Sequence, residues 1–178
     1  MMPSKEDWEK QYVGGEWDRL DSLKEASRYA IMGLYCNWFH KQPNVLDVGC
    51  GTGVIVNYLK FKNFLGIDIS EDAIQKANKK ENCAFLATNA EEFRTDKKFD
   101  VIIFNEVIYY FDAIKIMKKY EEFLNPDGIF LISIWENPRT KLVWDLIEFE
   151  YDCKDYIQLT HKDADNKWHV GIFKAKQL

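Results

Sequence analysis

The stretch "VLDVGCGTG", residues 45–53, constrains the fold of this chain more than any other part of its sequence. An apolar run ends there at Gly49, Gly51 and Gly53, which are separated from one another by single residues. In α/β proteins, a glycine-rich turn between a strand and a helix lets a ligand approach the backbone closely. The stretch therefore predicts a ligand site at the carboxyl end of the first strand of an α/β sheet.

Short β-rich runs alternate with helix-like segments along the chain. Continuously apolar runs such as "VIIF" indicate strands buried on both faces, as in a parallel sheet covered by helices. Near the end of the chain, "DYIQLTH" and "KWHVGIF" flank the turn-rich "KDADN" and predict an antiparallel hairpin. The other predicted strands cover residues 44–48, 63–67, 83–87, 99–104 and 128–135. The predicted helices that accompany them cover residues 52–60, 70–80, 90–93, 112–124 and 140–149.

A further helix is predicted before the first strand, starting at Ser22 and ending before Pro43. Ser22 and Glu25 have the spacing of a capping box. The pattern after them indicates an amphipathic helix. Its apolar residues at helical spacing are Leu23, Ala26, Ala30, Leu34 and Trp38.

Length and composition limit the class of protein. The 178 residues suffice for one well-buried core without an obvious linker, so we expect a single domain over residues 1–178. No apolar run approaches the roughly 18 residues of a membrane span, and the start of the chain does not resemble a secretory signal. The net charge of −5 argues against nucleic-acid binding, and the four scattered cysteines suggest neither a metal site nor disulfides. We expect a cytoplasmic protein without membrane or nucleic-acid partners, whose oligomeric state the sequence leaves open.

Two acidic residues discriminate among the ligands that a glycine turn can hold. Dinucleotide turns have the spacing G-x-G-x-x-G or A, whereas Val54 occupies the last position here and disfavours a nucleotide-dependent oxidoreductase. Asp47, beside the turn, would repel phosphates and attract a cation. Asp68 follows about 20 residues later, where an acid can accept hydrogen bonds from both ribose hydroxyls. S-adenosylmethionine fits both acids because it has a ribose, a positive charge and no phosphate.

Five motifs together resemble those of the class I S-adenosylmethionine-dependent methyltransferases, over residues 45–133. They are "VLDVGCGTG", "GIDIS", "NAEEF", "FDVIIFNEVIYYF" and "LNPDGIFLIS", in the order and spacing of that family. The resemblance implies a Rossmann-like core over residues 43–178, with a mostly parallel seven-stranded sheet that ends in the antiparallel hairpin. It implies a helical lid over residues 1–42, S-adenosylmethionine as the cofactor, and methyltransferase activity. The implied cofactor-binding residues are Trp17, Arg19, Asp47, Gly49, Cys50, Gly51, Gly53, Asp68, Ile69, Asn89, Ala90 and Asn105.

The resemblance implies a different role for each part of this set. The glycines would bring the backbone close to the methionine part of the cofactor, whose amino group Asp47 would orient. Asp68 would hold the ribose. Trp17 and Arg19 would close over the methionine end, where a guanidinium can bind a carboxylate in a bidentate way.

The adenine and methyl ends have their own implied residues. Asn89 and Ala90 would contact the adenine, and Ile69 would pack on its ring. Many relatives have Asp where Asn89 stands, but an Asn carbonyl can also accept from the adenine amino group. Asn105, at the end of the fourth strand, would lie under the transferred methyl group.

A second, weaker resemblance concerns the methyl acceptor. "EWDRLDS", residues 16–22, and "NEVIYY", residues 105–110, are similar to nodulation-type methyltransferases, which N-methylate a glucosamine end of chitooligosaccharides. The resemblance suggests a carbohydrate-like or amine acceptor. Glu106, Tyr109 and Tyr110 are then candidate catalytic residues, because a carboxylate can accept a proton and tyrosines can stack on a sugar ring. The alternative is that Glu106 is solvated and that both tyrosines are packing residues.

Two functions follow from these features. The first is a methyltransferase that acts on a small-molecule acceptor, such as an amine or hydroxyl of a sugar or related metabolite. The second is a non-catalytic regulatory module that keeps the S-adenosylmethionine-binding fold. The intact glycine turn and its acids favour the enzyme.

Overall fold

The computed structural model of the protein describes residues 3–162 and 167–176. The α-helices are α1 (Lys5–Val13), α2 (Leu23–Phe39), α3 (Glu71–Lys76), α4 (Ala113–Glu121) and α5 (Pro138–Glu150). The strands are β1 (Asn44–Val48), β2 (Asn63–Asp68), β3 (Cys83–Ala87), β4 (Phe99–Asn105), β5 (Leu124–Trp135), β6 (Tyr151–Thr160) and β7 (Lys167–Ala175). Short 3₁₀ turns cover Asp18–Leu20, Val54–Asn57 and Ile108–Tyr110.

The strands form one seven-stranded sheet in the order β3-β2-β1-β4-β5-β7-β6. Strands β1 to β5 pair in parallel, whereas β7 runs antiparallel to both β5 and β6. Val48 pairs with Ile67 on one side and with Phe104 on the other, so β1, β2 and β4 end at the same edge. The predicted α/β fold and its terminal hairpin are confirmed, although residues 163–166 of the predicted hairpin turn lie outside the described residues.

Helices cover both faces of the sheet and make it the middle of three layers. Successive residues of β1 point to opposite faces, so Leu46 packs in one apolar cluster and Val45 in the other. Helices α4 and α5 contribute Met117 and Trp144 to the first cluster. Helix α2 contributes Met32 to the second. Both clusters consist mainly of buried aromatic and aliphatic side chains, which pack the sheet between its two layers of helices.

Helix α2 does not bury the apolar stripe from which it is predicted. Leu23 and Trp38 are 88% and 78% exposed, and Leu34 is exposed as well. The face that packs on the sheet carries Glu25, Arg28, Tyr29, Met32, Gly33 and Cys36. The residues of both faces recur at helical spacing. Because the buried face includes the Glu25–Arg28 ion pair, a pattern based on hydrophobicity selects the other face. The predicted capping box is also wrong, because the Ser22 side chain makes no capping hydrogen bond.

Four helices were predicted too long, including 112–124, where α4 covers only Ala113–Glu121, and one helix was missed. Residues 52–60 form only the 3₁₀ turn Val54–Asn57, consistent with the poor helix propensity of its β-branched residues. Helix α3 ends at Lys76, because the Asn78 backbone N–H donates to Thr52 O at 3.0 Å and draws the chain toward the glycine turn. Residues 90–93 form a turn. Helix α1, which was not predicted, begins with a capping box between Ser4 and Asp7.

In the described part of the chain, none of the helices has the length and apolar character needed to cross a membrane.

Candidate active site

The glycine turn after β1 has a backbone that only glycine adopts readily. Gly49, Gly51 and Gly53 have φ angles of 70°, 53° and 69°. Space is also limiting, because a Cβ atom on Gly51 would lie 2.7 Å from the Tyr12 hydroxyl oxygen. The turn is fixed to β2 by the Gly49 N–H, which donates to Ile67 O at 2.8 Å. The "VLDVGCGTG" stretch therefore forms the predicted tight glycine turn at the carboxyl end of the first strand.

Asp68 ends β2 and joins that strand to the glycine turn. Its Oδ2 atom accepts a hydrogen bond from the Gly51 N–H at 2.8 Å, and its Oδ1 atom accepts one from the Ser70 N–H at 2.9 Å. Burial raises the pKa of the Asp68 carboxyl, and the backbone N–H donors oppose that rise. Each carboxylate oxygen has a second lone pair and can accept another hydrogen bond from a ligand.

Asp47 lies buried beneath the same turn. Its Oδ1 atom has no hydrogen-bond partner among the described residues. Burial and the nearby Asp68 charge raise the pKa of Asp47 well above its usual range, while the Arg28 charge opposes the rise. Two neighbouring buried carboxylates favour a positively charged ligand and disfavour a phosphate.

A cavity of about 440 Å³ opens at the carboxyl ends of the strands, above the glycine turn. The structure brings most of the predicted site residues together in its wall. Asp47 and Gly53 are the two that do not line it: Asp47 lies behind the turn, and Gly53 packs against Phe85. The predicted site residues in the wall are Trp17, Arg19, Gly49, Cys50, Gly51, Asp68, Ile69, Asn89, Ala90, Asn105, Glu106, Tyr109 and Tyr110.

The 89–90 segment is held rigidly where it borders the cavity. Asn89 Oδ1 accepts from the Glu91 N–H at 2.8 Å, so this side chain stabilises the turn after β3. Ala90 O accepts from the Lys119 ammonium at 2.8 Å and from the Tyr120 hydroxyl at 3.0 Å. These contacts connect the segment to α4.

The N-terminal segment covers the cavity with aromatic rings. Trp8 and Tyr12 of α1 and the following Trp17 all line it, and the sequence analysis did not identify the first two. The Trp17 indole N–H donates to Gln11 Oε1 at 3.2 Å, which fixes the ring against α1. Arg19 lies at the mouth with 64% of its side chain exposed and its guanidinium 5.3 Å from the Trp17 ring centroid.

Arg28 is a buried cation in the cavity wall that sequence reasoning missed. Its Nη2 atom donates to Glu25 Oε2 at 2.7 Å, and its Nη1 atom donates to Asn105 Oδ1 and contacts Ser133 Oγ at 3.4 Å. Its Nε–H has no acceptor in the part of the chain that the structure describes. One feature of the sequence could have indicated its position. Glu25 and Arg28 are three residues apart, a spacing that lets them pair on one face of a helix.

Glu106 follows β4 and is anchored by several donors. Its Oε1 atom accepts from the Ser133 hydroxyl at 2.9 Å, and its Oε2 atom accepts from the Trp135 N–H at 2.9 Å and the Tyr109 hydroxyl at 3.3 Å. Burial raises the pKa of Glu106, and the Arg28 charge opposes the rise. With a φ of 58°, Glu106 has a left-handed backbone that side chains rarely adopt, and such strain clusters at functional sites.

The remaining wall of the cavity is aromatic. Tyr110 meets Trp8 edge-on at a centroid distance of 5.1 Å, and its centroid lies 4.8 Å from that of Tyr109. Trp135 and Trp168 are cross-strand partners on β5 and β7 and also line the cavity.

Among residues 3–162 and 167–176, no group of His, Cys, Asp and Glu side chains is arranged to hold a metal ion.

Comparisons with known proteins identify this architecture. A model of the "Methyltransferase domain" family matches residues 39–169. The malonyl-[acyl-carrier protein] O-methyltransferase 2 of Ilyobacter polytropus is 31% identical over 111 residues, which are 57% of this chain and 43% of that protein. The ubiquinone biosynthesis O-methyltransferase of Rickettsia typhi is 32% identical over 154 residues, which are 81% of this chain and 61% of that protein. The chain thus spans about half the length of these curated relatives.

A solved structure has the same fold. The N-methyltransferase NodS from Bradyrhizobium japonicum, in complex with S-adenosyl-L-homocysteine, superimposes with a TM-score of 0.75 at 21% identity, covering 90% of this chain and 92% of that one. The fold, the enzyme class and the cofactor predicted from the sequence agree with these matches. The family model covers well over half of the chain, and the protein therefore belongs to the class I S-adenosylmethionine-dependent methyltransferases.

Proposed function

We propose that the protein binds S-adenosylmethionine in the cavity above the glycine turn and methylates a small polar acceptor, such as an amine or hydroxyl of a sugar or related metabolite. The observation that carries the proposal is the pair of buried carboxylates, Asp47 and Asp68, beside a left-handed glycine turn. Such a pair suits a ligand with a positive charge and a ribose better than a pyrophosphate.

The residues present fit the cofactor at both of its ends. Asp68 can use its remaining lone pairs for the ribose hydroxyls, and the buried Oδ1 atom of Asp47 lends negative charge to the region of the amino group. For the carboxylate we propose Arg28, whose buried Nε–H lacks an acceptor, ahead of the exposed Arg19. An unsatisfied buried donor costs about 1–3 kcal/mol, so an anionic oxygen there would be strongly favoured.

The cofactor supplies an activated methyl group, and the chain supplies alignment and a dry cavity. We propose that residues 1–42 act as the lid, with Trp8, Tyr12 and Trp17 excluding water above the glycine turn. Asn105 Oδ1 accepts a hydrogen bond from Arg28, which holds this side chain at the end of β4. A rigid group there would orient the reacting centre.

We propose that Glu106 accepts the proton that the methyl acceptor loses. Tyr109 would pass this proton from the methyl acceptor to Glu106. Tyr109 donates its hydroxyl proton to Glu106, and Tyr110 lies beside it at the aromatic mouth. A hydroxyl acceptor would need to lose a proton, which Glu106 can take either directly or through Tyr109. An amine acceptor can bind deprotonated and would depend less on this path.

Binding and turnover test the proposal separately. Isothermal titration with S-adenosylhomocysteine and with NAD should show tight binding of the first only. Asp68→Ala should lower the affinity for S-adenosylhomocysteine by about 1.5–3 kcal/mol, the scale of hydrogen bonds to a charged group. Asp96→Ala, which removes an exposed acid that does not line the cavity, is the matched control.

Transfer of a labelled methyl group to a panel of sugar, amine and small-acid acceptors then tests catalysis. Binding of S-adenosylhomocysteine without turnover of any acceptor would favour the regulatory module. Equal affinity of the Asp68→Ala and parent proteins would place the cofactor elsewhere.

A further inference from the structure

The arginines of this chain are distributed unevenly. There are four, at positions 19, 28, 94 and 139, in a protein of net charge −5. Arg19 and Arg28 line the cavity. Arg139 lies in the first turn of α5. Burial raises the pKa of Tyr110, and the positive charges of Arg139 and Arg19 oppose that rise. Two of the four arginines therefore line one cavity, and Arg139 is near enough to act on Tyr110 in its wall.

Arg19 and Arg28 differ in how far the protein uses their hydrogen-bond donors. Arg28 is fully buried and donates to Glu25 and Asn105. Arg19 approaches Glu25 Oε1 only to 3.8 Å, which is too long for a hydrogen bond. Its guanidinium lies over the Trp17 ring, a geometry that holds the charge in place and leaves its N–H edge accessible. Arg19 therefore presents an oriented fork of donors at the mouth.

Each acidic side chain that lines the cavity already has a protein donor or a guanidinium group beside it. Both Glu106 oxygens accept hydrogen bonds from protein donors, and so do both oxygens of Asp68. Glu25 is paired with Arg28 and faces Arg19. The mouth is therefore better prepared for an anion than for an ammonium group.

The aromatic rings at the mouth suit a ring-shaped acceptor. The Trp8 centroid lies 5.8 Å from that of Trp17 and 5.1 Å from that of Tyr110. Trp135 and Trp168 line the same cavity. Flat apolar faces of this kind stack on the rings of aromatic compounds and on the C–H faces of sugars.

We infer that the methyl acceptor is a ring compound that carries an oxyanion, either a carboxylate or a phosphate ester, and that Arg19 binds this group while the ring stacks on the mouth tryptophans. The inference rests on the proposed function, because it assigns the acceptor of that same site. Guanidinium groups match both oxyanions through paired N–H···O hydrogen bonds.

Two series of probes, each with one ring and three charges, test the inference by isothermal titration of protein saturated with S-adenosylhomocysteine. The first series is indole-3-acetate, indole-3-acetamide and tryptamine. The second is glucuronate, glucose and glucosamine, with glucose 6-phosphate added to compare phosphate with carboxylate. In at least one series the anion should bind about three- to thirtyfold more tightly than the neutral compound, the range for an oriented but partly exposed charge pair.

The variants Arg19→Gln and Arg94→Gln form a matched pair, because Arg94 is an exposed arginine that does not line the cavity. Arg19→Gln should abolish the preference for the anion, and Arg94→Gln should keep it. The inference is overturned if neutral or cationic probes bind at least as tightly as the anions in both series, if no probe binds, or if Arg19→Gln keeps the preference. Failure to bind S-adenosylhomocysteine would instead contradict the proposed function.

Discussion

Glu9 of α1 caps the start of α3, where its Oε1 atom accepts a hydrogen bond from the Glu71 backbone N–H at 2.6 Å. Its Oε2 atom accepts from the Ser70 hydroxyl at 2.8 Å and from the Asp72 N–H at 3.2 Å. A carboxylate satisfies the free N–H groups at the start of a helix and is favoured there by the helix dipole. Because Ser70 also donates to Asp68, the same contact connects the N-terminal segment to the proposed ribose site.

Removing this carboxylate should loosen the segment over the cavity. We expect Glu9→Ala to weaken S-adenosylhomocysteine binding about three- to tenfold, mainly through faster dissociation, since losing a capping group costs about 0.5–2 kcal/mol. Stopped-flow fluorescence of the tryptophans in this segment would measure the dissociation rate. Glu6→Ala, which changes an exposed glutamate on the same helix, is the control. An unchanged dissociation rate in Glu9→Ala would show that α1 does not act as a lid.

Arg28 should contribute both to stability and to cofactor binding. Arg28→Ala leaves the buried Glu25 with only the exposed Arg19 guanidinium, 3.8 Å away, and breaking a buried ion pair costs about 3–5 kcal/mol of unfolding free energy. The double variant Arg28→Ala with Glu25→Gln should recover the part of that loss that is due to the Glu25 charge, whereas Glu106 still lacks the Arg28 charge. Urea denaturation would measure both effects.

The double variant also isolates the binding role of Arg28. We expect it to bind S-adenosylhomocysteine at least about tenfold more weakly than the parent, because the carboxylate has lost its guanidinium partner. If the refolded double variant bound the cofactor as the parent does, Arg28 would be a structural residue, and Arg19 would again be the candidate for the carboxylate.

The bounds of several strands and the position of the glycine turn follow from local patterns. Buried parallel strands are continuous apolar runs, so β1 and β3 begin and end where predicted. A left-handed backbone favours glycine, so such a turn can be recognised from the residue types alone. The turn at Gly49–Gly53 was predictable for this reason. The position of Asp68 at the end of the second strand was predictable, because its separation from the glycine turn in sequence is the length of one βαβ unit.

Contacts between distant segments left no comparable signal. Arg28 meets Asn105 and Ser133, which lie 77 and 105 residues away in sequence. The inner face of α2 combines charged and apolar residues, and a hydrophobicity pattern therefore selects the wrong face. Trp8 and Tyr12 lie on α1, whose mainly polar sequence shows no apolar stripe.

Asp47 should lower the stability of the cofactor-free protein at neutral pH. Because its pKa is raised in the folded state by burial and by Asp68, folding is favoured by acid, and this stability is lost as pH rises from about 4 through the raised pKa. Asp47→Asn should therefore raise the unfolding free energy at pH 7 by about 1–3 kcal/mol. The gain should shrink as the pH approaches 4, which thermal denaturation at several pH values would measure.

The same substitution should weaken binding of the positively charged cofactor. S-adenosylmethionine should lose more affinity than S-adenosylhomocysteine if Asp47 acts through the field it creates at the sulfonium, and both should lose equally if it acts only on the amino group. A less stable Asp47→Asn protein at pH 7 would contradict the assignment of Asp47 as an uncompensated buried charge.

The contact between Gly51 and Tyr12 predicts a compensating pair of substitutions. Gly51→Ala places a Cβ atom 2.7 Å from the Tyr12 hydroxyl oxygen and imposes a left-handed backbone on alanine, which costs about 1–2 kcal/mol. We expect reduced stability and a larger loss of S-adenosylhomocysteine affinity, since Tyr12 must move. Adding Tyr12→Phe, which removes the clashing oxygen, should restore part of the stability but not the part due to the backbone. No recovery in the double variant would mean that the clash is relieved elsewhere.

Glu106 should give methyl transfer a dependence on pH if it is the proton acceptor. Burial raises its pKa, so the fraction of Glu106 that is ionised, and with it kcat for a hydroxyl acceptor found in the labelled-methyl screen, should rise with pH through that raised pKa. Glu106→Gln should remove this acidic limb and lower kcat while leaving the affinity for S-adenosylhomocysteine nearly unchanged. Tyr109→Phe should keep the limb and lower kcat, because Glu106 retains its hydrogen bonds from Ser133 and Trp135. An acidic limb that persists in Glu106→Gln would assign the titrating group to the acceptor itself, and Glu106 would then be a residue that positions Tyr109.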